Sequence, residues 1–341
     1  MIESNGLKES DLYDGKVALV TSDSGIKAGE TFKMNVETDD CTSYYYWVEI
    51  WRGHHYNYEY LKGKDCTELL KYKAVILQGE YLEDLVKIAR FLKGKVVTML
   101  WPEYVLGNTF QSSFTKEEYE AWKEVDVIMN WEEHTGSCYT TLSGTPSHFV
   151  YVPVREAMAA GEFLVAPENK TDEFVVYGDN NPTNPAFAIG VAKRLGKSII
   201  TVKIDELIRE SIKKLFEVNI SGIFYKLPTY PYLRLLGKSK VHVYPNSRLG
   251  TNREQVSCAC VGTPCIGNAL SHTQKRLFPK LGCDVRDMDT MVDLAKKLFE
   301  DKEFYKEIVE YAWKGVQFYN LENTKRRFME AYTIGKAHAG I

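Results

Sequence analysis

The sequence predicts an α/β protein of two domains, each a mostly parallel sheet flanked by helices. Three observations predict it. Short runs such as KVALVT (16–21), KVVTML (95–100) and SIITVKI (198–204) are nearly unbroken in apolar character, as strands buried on both faces are. Segments with helical spacing separate these runs, and parallel strands need such crossovers. The alternation pauses after residue 152 and restarts at 174, and a chain of 341 residues suits two domains.

Residues 1–15 read as a loose lead-in. The first strand, 16–21, runs into the small polar turn Ser22, Asp23, Ser24 and Gly25. No GxGxxG follows, so the standard dinucleotide fingerprint is absent and an NAD-dependent dehydrogenase is disfavoured. Residues 41–60, CTSYYYWVEIWRGHHYNYEY, are rich in Tyr and Trp. Two readings stand: a helix or strand with an aromatic core face followed by a tyrosine-rich loop, or a platform on which a sugar or base stacks. A second strand is predicted at 72–78. A helix follows at 81–92, with Leu82, Leu85, Val86, Ile88, Ala89 and Leu92 on one side. Gly94 ends it and the third strand, 95–100, leads to Trp101, Pro102, Glu103 and Tyr104. Thr115 and Glu118 form a capping-box pattern that starts the next helix. Strands at 125–130 and 149–152 close the first series.

Residues 153–172 are the expected crossing. The second series has strands at 174–178, 198–204, 222–226 and 241–244, with helices at 185–195, 206–216 and 233–236. The stretch VHVYPNSRLGTNREQVSCACVGTPCIGN (241–268) then reads as strand, polar loop, short helix, turn, strand. Gly262 suits the left-handed position just past a helix end. A helix that begins at a loop mouth presents free N–H groups to an anion. Helices are expected at 289–299, 304–318 and 322–332.

That stretch resembles the nucleotide-sugar site of GT-B glycosyltransferases, whose C-terminal domain reads PS, then EGFG, then EAMAxGTPVI. The matches are Pro245, Ser247, Gly250, Gly262, Thr263, Pro264 and Ile266. The pattern's two glutamates fall at Leu249 and Ser257. The resemblance implies two Rossmann-like domains facing across a cleft. The expected division is an acceptor-side domain over 1–155, a donor domain over 172–320, and a closing helix in 321–341 that crosses back to the N-terminal domain. It also implies a nucleoside-diphosphate sugar, uridine-linked by family analogy, as co-substrate, with no bound cofactor and no metal.

Ligands of open α/β sheets bind outside the carboxyl ends of strands. Three such ends supply the candidates. Glu103 resembles in position the acidic base of phage DNA glucosyltransferases, beside Trp101; its plainer reading is an exposed loop carboxylate. Gly178, followed by Asn180, Asn181 and Asn184, matches the glycine of the diphosphate clamp, without the family's basic residue. The plainer reading there is an Asn- and Pro-rich turn. Arg248 and Arg253 are suited to a diphosphate because guanidinium pairs with phosphate in two bonds. For Arg253 the alternative is a salt bridge to Glu254 or another acid. The expected donor set is Gly178, Asn180, Asn184, Ser247, Arg248, Arg253, Ser257, Gly262, Thr263 and Asn268. The expected acceptor set is Trp101, Tyr46, Trp51 and His134, and His134 also reads as a plain surface histidine.

Composition limits the partners. Net charge is −3 and the pI about 6.2, which argues against broad affinity for nucleic acid or anionic membranes. No apolar run reaches the roughly 18 residues of a membrane helix, and the polar start MIESNGLKESDLYDG lacks a signal peptide's apolar core, so a cytoplasmic location is expected. The seven cysteines read as reduced. Cys258, Cys260 and Cys265 lie close in sequence, but no second cluster with zinc spacing completes them, and they read as packing.

The expected function is therefore transfer of a sugar from a nucleoside-diphosphate donor to a hydroxyl, with inversion and Glu103 as base. The acceptor is left open between a modified base in DNA, a glycan and a small molecule. The alternatives are a nucleotide-sugar 2-epimerase and a non-catalytic nucleotide-sugar-binding protein.

Overall fold

The computed structural model describes residues 12–22, 28–31, 49–79, 82–102, 115–133, 135–151, 154–178, 183–225, 227–246 and 253–341. The chain divides into two compact units. One takes the described residues before Val154 together with Glu322–Ile341; the other runs Val154–Leu321. No helix among the described residues is long and apolar enough to cross a membrane.

The first unit is built on β1 (Val17–Thr21), β2 (His54–Asn57), β3 (Ala74–Gln78), β4 (Val97–Trp101), β5 (Val127–Asn130) and β6 (Ser147–Phe149). They form one parallel sheet in the order β2-β1-β3-β4-β5-β6. Every residue of β1, β3, β4 and β5 is buried, which is why those strands are readable as apolar runs. α1 (Leu82–Leu92) and α2 (Lys116–Glu124) link strands in this sheet. The Thr115–Glu118 box forms: the Glu118 N–H donates to Thr115 Oγ1 at 3.1 Å, and the Thr115 N–H donates to Glu118 Oε2 at 2.6 Å. Asp126 closes the start of β5 onto β4, accepting from the Thr98 N–H at 2.7 Å and Thr98 Oγ1 at 2.8 Å. Burial pushes the Asp126 carboxyl up, against the pull of those two bonds. Three elements depart from the sequence reading. β2 lies inside the aromatic stretch, α3 (Gly136–Ser143) precedes β6, and β6 ends at Phe149, where the fifth strand was expected to start.

The second unit holds β7 (Phe174–Tyr177), α4 (Thr183–Arg194), β8 (Ile199–Val202), α5 (Glu206–Ser211), β9 (Ile220–Phe224), α6 (Thr229–Lys238), β10 (His242–Tyr244), α7 (Arg253–Cys260), β11 (Cys265–Asn268), α8 (His272–Leu277), β12 (Gly282–Cys283), α9 (Met288–Glu300) and α10 (Lys302–Val316). The helix expected over 206–216 widens into a π-turn across Ile212–Phe216. Two parallel three-stranded sheets, β7-β8-β9 and β10-β11-β12, meet through a parallel bridge between Thr171 and Ser239. Ser239 Oγ also donates to the Glu173 carbonyl at 2.8 Å. The strands therefore run β9-β8-β7-β10-β11-β12 across the unit, the doubly-wound order, with the reversal between β7 and β10. α11 (Leu321–Ala339) returns to the first unit. There Gly335 lets it approach closely: an added Cβ would lie 2.9 Å from Val127 Cγ1.

Candidate functional site

In a doubly-wound sheet the ligand crevice opens at the carboxyl ends of the strands on either side of the reversal. In the second unit these ends are Gly178, after β7, and Pro245–Asn246, after β10. α4 follows the first and α7 the second, so two helix N-termini come after the two strand ends. Arg253 is the first residue of α7 and is exposed. Asn268 ends β11. Its Nδ2 donates to the Asn246 carbonyl at 3.1 Å and its Oδ1 accepts from the Leu270 N–H at 2.9 Å. Its side chain thus ties the β10 and β11 loops together. Gly178, Arg253 and Asn268 all belong to strand-end and helix-start positions on this edge.

Below the edge lies a row of polar side chains. The rings of Tyr177 and Tyr232 are 5.2 Å apart. The Tyr232 hydroxyl donates to Glu254 Oε1, and His242 Nε2 lies 3.2 Å from the same oxygen. Burial first, and then the Glu254 carboxylate, hold the Tyr232 phenol well above its ordinary range, so Tyr232 is the donor. A second buried pair stands behind α7. Gln255 Nε2 donates to Gln274 Oε1 at 2.6 Å, and Gln274 Nε2 donates to the Cys265 carbonyl at 3.0 Å. Gly267 leaves room for this pair, since an added Cβ would sit 2.5 Å from Gln274 Oε1 and the amide would have to shift.

Gly262 and Thr263 stand elsewhere. They precede β11 and so lie at its amino end, away from the crevice edge. Gly262 has φ +69°, the left-handed backbone its position past the helix calls for. Thr263 Oγ1 lies 3.0 Å from the Leu236 carbonyl and 3.1 Å from that of Ser239, and accepts from Lys170 Nζ at 3.0 Å. Lys170 also donates to the Gly237 and Val261 carbonyls. Burial lowers its ammonium to about 8. The bonds of Thr263 set the turn between α7 and β11. Ser257 is 6% exposed, on the buried length of α7.

In the first unit the order β2-β1-β3 places the reversal between β1 and β3, and Trp101 ends the next strand, β4. Trp101 is 2% exposed and lies 4.9 Å from the ring of Trp131. Trp51 is fully buried, 5.3 Å from Phe328 and 6.1 Å edge-on from Tyr13. Its ring packs among the core residues of this unit. Tyr56 and Tyr58 are buried as well. Glu103, Tyr46, His134, Asn180, Ser247 and Arg248 lie outside the described residues. Asn184 lies on α4 with its side chain outside them. Sequence reading passed over His242, Tyr232 and Lys170. A histidine inside an otherwise apolar strand was the available signal for the first.

No protein-family model matches the sequence, and no curated protein matches it. Solved structures match in fold. A UDP-forming α,α-trehalose-phosphate synthase from Burkholderia xenovorans aligns at TM-score 0.59 and 10% identity, covering 77% of this chain and 74% of that one. TarM of S. aureus, solved with UDP, aligns at 0.60 and 12%, covering 81% of this chain and 58% of its own. An α-glucosyltransferase in complex with UDP and a 13-mer DNA containing an HMU base aligns at 0.61 and 10%, covering 95% of this chain and 100% of that one. Taken with the parallel sheets of both units, these matches show that the chain has the GT-B fold of glycosyltransferases.

Proposed function

We propose that this protein is a glycosyltransferase that moves a sugar from a nucleoside-diphosphate donor, UDP-linked, to an acceptor hydroxyl. The observation that carries the reading is the reversal between β7 and β10, where two helix N-termini follow the two strand ends. That arrangement suits a diphosphate, because unpaired N–H groups and the helix dipole both favour an anion. The neighbours in fold add support: one is described as UDP-forming and others were solved with UDP. In this reading Gly178, Asn180, Asn184, Ser247, Arg248, Arg253, Ser257 and Asn268 serve the donor. Trp101, Tyr46 and His134 serve the acceptor, and Glu103 takes the proton from its hydroxyl. The reaction inverts the anomeric centre, it needs no resident cofactor, and its place is the cytoplasm.

A second stereochemical reading has its own support. Two of the fold neighbours are named for α-linked chemistry, an α-glucosyltransferase and an α,α-trehalose-phosphate synthase. Retention at the anomeric carbon is the alternative they favour. The acceptor classes to screen are a modified base in DNA, which the DNA-bound neighbour suggests, a glycan and a small molecule.

The deciding experiment is a thermal-shift series with UDP, GDP, ADP and CDP and their common sugars. A ligand at about 100 times its Kd adds about 2.7 kcal/mol to the native state. A selective rise in Tm with UDP or a UDP-sugar is the expected result. A flat response to all four nucleotides overturns the donor assignment.

A further inference from the structure

We propose that His242, Glu254 and Cys258 form a binding site for one divalent cation, with zinc the best match to the donor set. The placement follows from the fold. Glu254 and Cys258 are four residues apart on α7, so they share one face of the helix. His242 opens β10, and the β10–β11 register sets it opposite Cys265. One ligand atom from each of His242, Glu254 and Cys258 lies within 4.8 Å of the other two. Tetrahedral zinc, with bonds of roughly 2.0–2.3 Å, needs its ligand atoms about 3.3–3.8 Å apart, so the three atoms are already close to the required spacing.

A second observation points to a ligand there. The His242 side chain is 2% exposed beside the carboxylate, and neither of its ring nitrogens makes a hydrogen bond. Buried polar atoms are nearly always paired, and a lone pair on imidazole is satisfied by a metal as well as by a proton donor. The nearby groups complete the set. Cys265 stands opposite His242 in the β10–β11 register and is the adjacent fourth donor. The Tyr232 hydroxyl donates to Glu254 and holds the carboxylate in place, as groups behind a metal's ligands do. Histidine, carboxylate and thiolate together select zinc over magnesium or calcium, which take oxygen ligands. On binding, the Cys258 Sγ–H gives its proton to solvent and the thiolate forms the metal bond. The cation would tie α7 to β10 directly behind Arg253. The inference does not depend on the proposed transferase activity.

The test uses the full chain, stripped with a chelator and then titrated with zinc or cobalt ions. One equivalent of zinc per chain should remain after dialysis. Cobalt in its place should give a thiolate charge-transfer band and the absorption of a tetrahedral ion. His242→Ala, Glu254→Gln and Cys258→Ser should each weaken zinc by about tenfold or more. Cys260→Ser, a buried cysteine outside the cluster, should bind as the parent does. If a substituted chain fails to fold, the cobalt spectrum of the unsubstituted protein still decides. No stoichiometric zinc at micromolar free metal, a cobalt spectrum without the thiolate band, or zinc binding that survives Cys258→Ser would each overturn the site and leave His242 as a plain partner of Glu254.

Discussion

The backbone of Gly178 lies against the carbonyl of Lys203, so close that a Cβ on Gly178 would collide with that oxygen. Lys203 is in the left-handed region, with φ +56°. The Gly178 N–H donates to the Val202 carbonyl at 2.8 Å, which holds the end of β7 against β8 at this point. The glycine that the GT-B pattern places before a diphosphate clamp is thus demanded here by packing. Gly178→Ala must move backbone, and overpacking of this kind costs about 1–3 kcal/mol. Urea unfolding should show that loss as a lower midpoint with an unchanged slope. A variant as stable as the parent would mean that the strand end yields and that the glycine is kept for another reason.

Arg253 stands at the first position of α7, where a positive side chain opposes the helix dipole. An anion at the helix start relieves that opposition. A hydrogen bond to a charged group contributes about 1.5–3 kcal/mol, so Arg253→Ala should weaken UDP by roughly ten- to a hundredfold. Titration calorimetry with UDP measures it. Equal affinity in the variant would make Arg253 a surface residue bonded within the protein.

Cys260 is fully buried, and burial pushes its thiol up to about 12 from an ordinary value of 9.0. The neutral thiol is thus favoured in the folded state. Below pH 9 both states hold the proton and this contribution is complete. Between pH 9 and 12 the unfolded chain loses its proton first, so stability falls as pH rises. From pH 8 to pH 10 the loss from this thiol is about 1.4 kcal/mol. Lys170 acts in the opposite direction, since its folded value of about 8 lies below the ordinary 10.5. Comparing the parent with Cys260→Ala isolates the thiol, because Lys170 is common to both. Urea unfolding at the two pH values should show a smaller drop in the variant. Parallel pH profiles would place the alkaline loss on other groups.

The fold was legible where burial is two-sided and local. β1, β3, β4 and β5 are buried throughout and mostly apolar because both faces of the first sheet are covered, and Thr115 with Glu118 marks a helix start through a bond made within four residues. β2 was not legible. In the sheet it pairs with β1, it bridges Glu30 on its other side, and the buried ring of His55 meets Thr21 Oγ1 at 2.7 Å, a partner 34 residues away. The same limit applies to the site. Glu254 and Cys258 share a helix face by spacing, but their meeting with His242 depends on α7 lying over β10, which no local pattern encodes. Thr263 shows the other side of that limit: a motif match carries identity, whereas its contacts with Lys170, Leu236 and Ser239, which fix a turn, come from distant parts of the chain.

Glu103 follows β4 by two residues, after Trp101 and Pro102. Trp101 is buried against Trp131, so the strand end is firmly placed by packing. If Glu103 removes the acceptor's proton during an inverting transfer, Glu103→Gln keeps the shape and removes the base. General-base catalysis contributes about a hundred- to ten-thousandfold, so turnover should fall by that range. The donor lies in the other unit in this reading, so UDP affinity should stay within about twofold of the parent, a difference of about 0.4 kcal/mol. Single-turnover transfer assays and calorimetry on the same preparation separate the two quantities. A lost rate with UDP binding intact supports the base. A fully active variant removes it and favours retention, and proton NMR of the new glycosidic linkage then decides between inversion and retention by its anomeric coupling.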